Sequence, residues 1–317
     1  MRYKKLGLVN TRDMFADANA HDYAIGAFNF YNMETLTAIL AAARATHSPV
    51  ILAISESAID YIGYEMLMAM IRGANIKQNE QIALHLDHGH SYESCARAID
   101  MGFSSVMIDA SNMSFEKNIE LTKRVVKYAH RYNVSVEAEL GAIAGFEDKN
   151  THSSKSIFTD PVMASEFVAQ TRIDSLAVAI GTSHGAYKRK YGHEKLRFDI
   201  LSEIDNLLPG FPIVLHGAST VPGKFIRTIN NNGGDINGAN GIPPVQLRHA
   251  VKMNVCKINQ DTDNRLAFTA ALRKNFTQHP DTVNPREYLG MAKTAVYENT
   301  VNAIINIMNS ANKLRHC

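Results

Sequence analysis

The chain has 317 residues, 45% of them hydrophobic, and a formal net charge of +2 at pH 7. That length and composition support one large domain or two ordinary ones around a sizeable core, and the near-balanced charge, with no long basic run, sets aside nucleic acid and anionic membrane surfaces as partners. Cys95, Cys256 and Cys317 lie too far apart for a CxxC motif or a disulfide framework. No apolar run is long enough to cross a membrane and Met1–Lys5 leads into no apolar stretch, so the expectation is a soluble, cytoplasmic protein.

From the N-terminus onward one unit recurs: a short apolar run ending in a small or polar residue, then a helix-like stretch. The runs are Ala24–Asn29, Pro49–Ser55, Ile82–His88, Ser105–Asp109, Ser135–Gly141, Ser175–Gly181, Pro212–Gly217 and Val255–Asn259. Between them Met33–Ala45, Tyr92–Met101, Phe115–Tyr132, Ser165–Thr171 and Lys195–Asn206 read as helices. Ile119, Thr122, Val126 and Ala129 recur at helical spacing, an amphipathic face suited to covering a sheet. Nearly continuous apolar strands alternating with helices predict a parallel sheet buried on both faces. Eight such units close most economically into a single (β/α)8 TIM barrel over residues 1–317; a doubly wound sheet is the other fold that gives this alternation. A barrel carries its chemistry at the C-terminal ends of its strands, and Asn29, Ser55, Asp87, His88, Asp109, Glu139, His184, His216, Asn259 and Asp261 all fall at or just beyond such ends.

Ala83–His90 is the most telling run. Apolar residues alternate with His85 and Asp87, the period of a strand, until Gly89 breaks it. The same setting returns at His184-Gly185 and His216-Gly217. Three histidines at one end of a parallel sheet make a metal site, with Asp87 as an acid beside it; catalytic zinc takes three protein ligands and keeps one position open. Asp109 and Glu139 can hold the second ring nitrogen of a ligand histidine or bind a second cation, and His85 reads as support for the site. Backbone N–H groups of Gly185–Lys188, Gly217–Ser219 and Asn259–Thr262, after the last three strands, form candidate anion sites. Arg265, a step further on, can pair with a second phosphate. Ala142–Thr159 is too long and polar for an ordinary connection and is expected to be a structureless lid, in which Glu147 or the adjacent Asp148 acts as general base when substrate is bound.

These motifs resemble the class II, metal-dependent fructose-bisphosphate aldolases along Tyr23–Asn29, His85–Gly89, Ser104–Ser111, Val136–Gly141, Leu176–Lys188, Leu215–Ser219 and Lys257–Arg265. The insert Asn230–Asn254 and the run Asp261-Thr262-Asp263 resemble the class IIB branch, while the related tagatose-bisphosphate aldolases share most of the core. The resemblance implies reversible cleavage of fructose 1,6-bisphosphate to dihydroxyacetone phosphate and glyceraldehyde 3-phosphate, in glycolysis and gluconeogenesis. It implies that His88, His184 and His216 hold one catalytic zinc, that Asp87 exchanges a proton with the substrate's C4 oxygen, and that Glu147 is the lid base. Asp109 and Glu139 match positions that support the ligands or a second divalent metal. Gly185, Lys188, Gly217, Ser219, Asn259 and Thr262 match the phosphate-and-hydroxyl cradle, Asp261 the diol contact and Arg265 the distal phosphate, with Asn29 and Ser55 as further substrate contacts. A monovalent cation (Na+ or K+) and a homodimer or homotetramer are also family features. The lid departs from the pattern, reading Ala144-Gly145-Phe146-Glu147 where relatives often carry paired glycines and paired acids. The competing chemistries are a metal-dependent barrel hydrolase, a non-catalytic metal or sugar-phosphate binder, and a lysine Schiff base, for which Lys257 is the candidate.

Overall fold

The computed structural model describes residues 2–147, 150–151, 157–187 and 195–314; of residues 144, 146, 147, 150 and 151 it describes the backbone. Eight parallel strands close into a barrel, which excludes the doubly wound alternative. In chain order they are β1 (Ile25–Asn29), β2 (Val50–Ser55), β3 (Ile82–Gly89), β4 (Ser105–Ile108), β5 (Ser135–Leu140), β8 (Ser175–Val178), β10 (Ile213–Leu215) and β11 (Val255–Gln260), with β11 returning to pair with β1. Numbering leaves β6 (Ala144–Glu147), β7 (Asn150–Thr151) and β9 (Ser183–His184) for three short strands outside the barrel. Apart from Ser55, every residue of the barrel strands is buried, as a sheet covered on both faces requires.

Helices cover the barrel, and their starts follow local chemistry. Asn32 and Ser91 close capping boxes with Thr35 and Ser94, and Ser114 caps the Phe115–Arg131 helix. That helix buries Ile119, Thr122, Val126 and Ala129 as its periodicity predicts, together with Asn118 and Val125. The helix expected from Ser165 begins earlier, at Pro161, because Asp160 caps it and proline suits its first turn. The Asn230–Asn254 insert contains the Pro244–Val251 helix. At the opposite mouth from the strand C-termini, the Thr11–Ala20 helix packs Met14, Phe15 and Ala18 against Tyr23, Ile25, Ala27, Ile51, Ala53 and Ala83. That end is sealed with apolar side chains.

Two expectations need correction. Barrel strand β8 ends at Val178 rather than Gly181, so His184 stands on the separate strand β9. The expected structureless lid also has structure of its own: β6 pairs antiparallel with β7 and parallel with β9. Its base is pinned, with Ala142 and Ile157 exchanging backbone hydrogen bonds of 2.8 Å in both directions. These pairings join residues distant in sequence, so no local periodicity announces them.

Candidate metal centre

Consecutive residues of a strand normally face opposite ways, yet Asp87 and His88 both reach the barrel mouth. The reason is a bulge. Leu86 pairs with Val106 and Gly89 with Ile108, so β3 carries one residue more than β4 between those rungs. His88 takes up the extra length at φ 47°, a left-handed conformation that costs energy for any residue with a side chain. Gly89 follows because a Cβ there would lie 2.8 Å from the Met107 carbonyl oxygen.

The three predicted histidines converge. His88 Nε2 lies 2.9 Å from His216 Nδ1, and one donor atom from each of His88, His184 and His216 lies within 4.8 Å of the others. All three are buried. His216 directly follows β10, and Gly217 lets the chain pass close to β9: at φ 59°, a Cβ would sit 2.6 Å from the Ser183 carbonyl. The outer ring nitrogens meet carboxylates, His88 Nδ1 to Asp109 Oδ2 at 2.8 Å and His216 Nε2 to Glu137 Oε1 at 2.7 Å. With those carboxylates accepting the ring N–H, the two inner nitrogens turn lone pairs toward each other, an arrangement that a cation relieves. Burial, then His88 and the Lys257 ammonium, hold His216 well below the usual histidine range, so it is neutral, the ligating form. Three imidazoles around one point fit zinc.

Asp109 does not cap the helix that follows. Its other oxygen accepts from Ser111 N at 3.1 Å and Ser111 Oγ at 2.7 Å. Burial alone would raise its carboxyl, but the hydrogen bonds from His88 and Ser111 outweigh that and keep it ionised. Glu139 is the opposite case: burial, then the neighbouring Asp109 charge, push its carboxyl well up, and its Oε2 is buried with no hydrogen-bond partner among the described residues. His88, Asp109 and Glu139 form a second group of donor atoms within 4.8 Å of one another. A cation there would supply a partner for Glu139 Oε2.

Asp87 is fully buried and held from both sides. Asn29 Nδ2 donates to one oxygen at 2.9 Å and Asn259 Nδ2 to the other at 3.0 Å. Burial raises its carboxyl, but His88, the Lys257 ammonium and the Asn29 amide together bring it below the usual carboxylate range. It is therefore an ionised base. The Oδ1 atoms of Asn29 and Asn259 are buried with no partner among the described residues, leaving two acceptors beside it.

A cavity of about 390 Å³ opens beside the histidines, and seven predicted substrate residues line it: Gly185, Gly217, Ser219, Asn259, Asp261, Thr262 and Arg265. Asn29 touches the site through Asp87, and Ser55, level with Asp87 on β2, caps the Glu56–Ile62 helix. The structure places Arg265 among partners the sequence did not reveal. Its Nε lies 2.8 Å from both Asp261 Oδ2 and Tyr31 Oη, its guanidinium stacks on the Tyr31 ring, and Tyr31 donates to Asp261. The side chain of Glu147, and all of Asp148 and Lys188, lie outside the described residues.

Sequence reasoning gave three residues no role of their own. Glu137 shares its strand face with Glu139, and the period of two in Glu137-Ala138-Glu139 could have found it. Asp263 accepts from Thr220 N, Thr220 Oγ1 and Val221 N at 2.7 to 2.9 Å, fixing the loop after β10. Tyr31 carries no local signal. Lys257, the Schiff-base candidate, is fully buried with its Nζ on both oxygens of Glu137, so no ketone can reach it without breaking an ion pair. Lysine chemistry is set aside.

Fold and donor set define a (β/α)8 barrel built around a candidate metal centre at the C-terminal mouth. The sequence matches the family described as fructose-bisphosphate aldolase class-II over residues 9–313, and the chain belongs to that family. It is 47% identical to fructose-bisphosphate aldolase of Treponema pallidum over 311 residues, covering 92% of this chain and 93% of that one. It is 45% identical to the Giardia intestinalis enzyme of the same name over 293 residues, covering 92% and 90%. Among solved structures, the YdjI aldolase of Escherichia coli K12 superposes with a TM-score of 0.76 at 29% identity, over 97% of this chain and 100% of that one.

Proposed function

We propose that this protein reversibly cleaves fructose 1,6-bisphosphate to dihydroxyacetone phosphate and glyceraldehyde 3-phosphate as a zinc-dependent aldolase of the class IIB branch. One observation carries the chemistry: Asp87, ionised and clamped by two amides, stands beside three converging histidines. His88, His184 and His216 would hold the zinc, which supplies Lewis-acid stabilisation of the charge left on the three-carbon fragment. Asp87 removes the proton of the C4 hydroxyl as the C3–C4 bond breaks. Asn29 and Asn259 orient Asp87 and offer their free carbonyl oxygens to substrate hydroxyls. Gly185, Gly217, Ser219 and Thr262, with Lys188, cradle one phosphate. Arg265 takes the distal phosphate, Asp261 meets the diol, and Ser55 is a further contact at the rim.

Glu147, or Asp148 beside it, exchanges the proton at C3 in the condensation direction, on a lid spanning about 142–159. Asp109 and Glu139 orient the ligands or hold a second divalent ion, and a monovalent cation sits by the phosphate loops. The whole chain acts as one barrel domain, as a cytoplasmic homodimer or homotetramer. Names of the relatives favour the fructose epimer over tagatose 1,6-bisphosphate. The test is parallel cleavage of both sugars before and after chelation and zinc add-back. Fructose preference with zinc-restored activity is expected; tagatose preference overturns the reading of Asp261–Arg265, and activity surviving metal removal overturns the zinc.

A further inference from the structure

Barrels of this type fill their interior mainly with branched apolar side chains. Here the layer beneath the histidines holds an ion pair instead. Lys257 on β11 and Glu137 on β5 come from strands that are not neighbours, so they meet across the interior. Lys257 Nζ lies 2.9 and 2.8 Å from the two Glu137 oxygens and 3.5 Å from His85 Nε2. The other His85 nitrogen meets Ser105 Oγ at 2.8 Å. An ammonium has three N–H donors, and two of them are taken by the Glu137 oxygens while the His85 ring lies 3.5 Å away. The same Glu137 Oε1 receives His216 Nε2 at 2.7 Å.

Desolvation makes such a pair expensive, and apolar side chains of similar volume in its place are often as stable or more so. Stability therefore does not account for it; its connection does. We propose that Lys257 is a positioning residue for the metal centre. By clamping both oxygens of Glu137 it fixes the carboxylate that takes His216 Nε2–H, and so aims the His216 Nδ1 lone pair at the point shared with His88. Without the ammonium, Glu137 loses both hydrogen bonds to Lys257 and the restraint that presents it to His216. Asp109 orients His88 from the other side with the help of Ser111, so the two ligands are braced independently. The inference rests on reading the three histidines as zinc ligands.

The test measures zinc affinity by competition with a chromophoric chelator, and the visible spectrum of cobalt-substituted protein, in Lys257→Met, Glu137→Gln and the double variant. Outer partners of metal ligands typically contribute about 10- to 100-fold in affinity, and a loss of that size is expected in each single variant, with an altered cobalt spectrum. Since both residues act along one path, the double variant loses no more than Glu137→Gln alone. Lys257→Arg, which keeps the charge, recovers part of the loss. A folded Lys257→Met protein with wild-type zinc affinity, or losses that simply add, overturns the inference. If Lys257→Met does not fold, Glu137→Gln carries the test, and unchanged affinity there is equally fatal. A wild-type protein that binds no zinc sinks the ligand assignment itself, a different outcome.

Discussion

The loop after β10 carries Gly217 and Ser219, and one carboxylate holds it in place. Asp263 accepts from Thr220 N at 2.9 Å, Thr220 Oγ1 at 2.8 Å and Val221 N at 2.7 Å. Val221 sits at φ 48°, a region that β-branched residues avoid, so the loop does not hold this shape unaided. Asp263→Ala leaves the buried Val221 N–H and the half-buried Thr220 N–H without acceptors. A buried orphan donor costs about 1–3 kcal/mol, and the half-buried one recovers part of its loss from water, so the expected destabilisation is about 2–4 kcal/mol. Asp263→Asn keeps an oxygen for one N–H but turns an amide NH2 toward the other, and about half that loss is expected. Urea unfolding followed by circular dichroism reads the change as a shifted midpoint with an unchanged slope. With Gly217 and Ser219 in the proposed phosphate cradle, KM for fructose 1,6-bisphosphate should rise more than kcat falls. A loss below about 1 kcal/mol, or an Asn variant as damaged as the Ala variant, would refute the reasoning.

Glycine supplies a matched pair of perturbations. Gly217→Ala drives a Cβ to 2.6 Å from the Ser183 carbonyl and should displace β9, lowering retained zinc after dialysis along with the cleavage rate. Gly63→Ala, at φ 83° and ψ 137° with nothing within 4 Å, should cost only backbone strain of about 1–3 kcal/mol and keep full activity. Tyr31→Phe removes the hydroxyl shared by Asp261 and Arg265, and a KM increase of roughly tenfold with little change in melting temperature is expected. Asp174 gives a pH dependence. Burial raises its carboxyl, but hydrogen bonds from His130, Arg12 and the Val136 N–H outweigh burial and hold it below its unfolded value. Its stabilisation is therefore complete above about pH 4 and lost as pH falls through the lower folded value. Urea midpoints of Asp174→Asn should lie below wild type at neutral pH and converge with it in acid; a constant offset would show that the charge is not responsible.

The barrel was legible because strand and helix patterns are local, and the three histidines because each precedes a glycine that ends or bends its run. What lay beyond reach depended on contacts between distant residues. The extra residue in β3 that brings Asp87 and His88 to the same mouth is defined only against β4. The early end of β8 has the same origin: its pairing with β10 stops at Ala177, although the apolar run continues through Ile180. Glu137 was passed over because strand ends attract attention and strand middles do not. The sequence offers Arg265 only as a candidate phosphate contact, while its clamp on Asp261 and Tyr31 joins β1's exit to the helix after β11. No spacing in the sequence encodes that.

The pairing of Gly145 with His184 joins the segment after β5 to a histidine of the metal centre by shared backbone register. A Cβ at Gly145 would fall 2.5 Å from the His184 carbonyl oxygen, so the two strands are in direct contact. Coupling of this kind acts equally in both directions. Whatever stabilises His184 in place raises the protection of the amides along Ala144–Glu147, and whatever stabilises that segment tightens the binding of a metal at His184. Damage to the segment would then show first as an enzyme that leaks its metal, and only afterwards as a slow one. Hydrogen exchange at those few amides becomes a gauge of occupancy that needs no substrate.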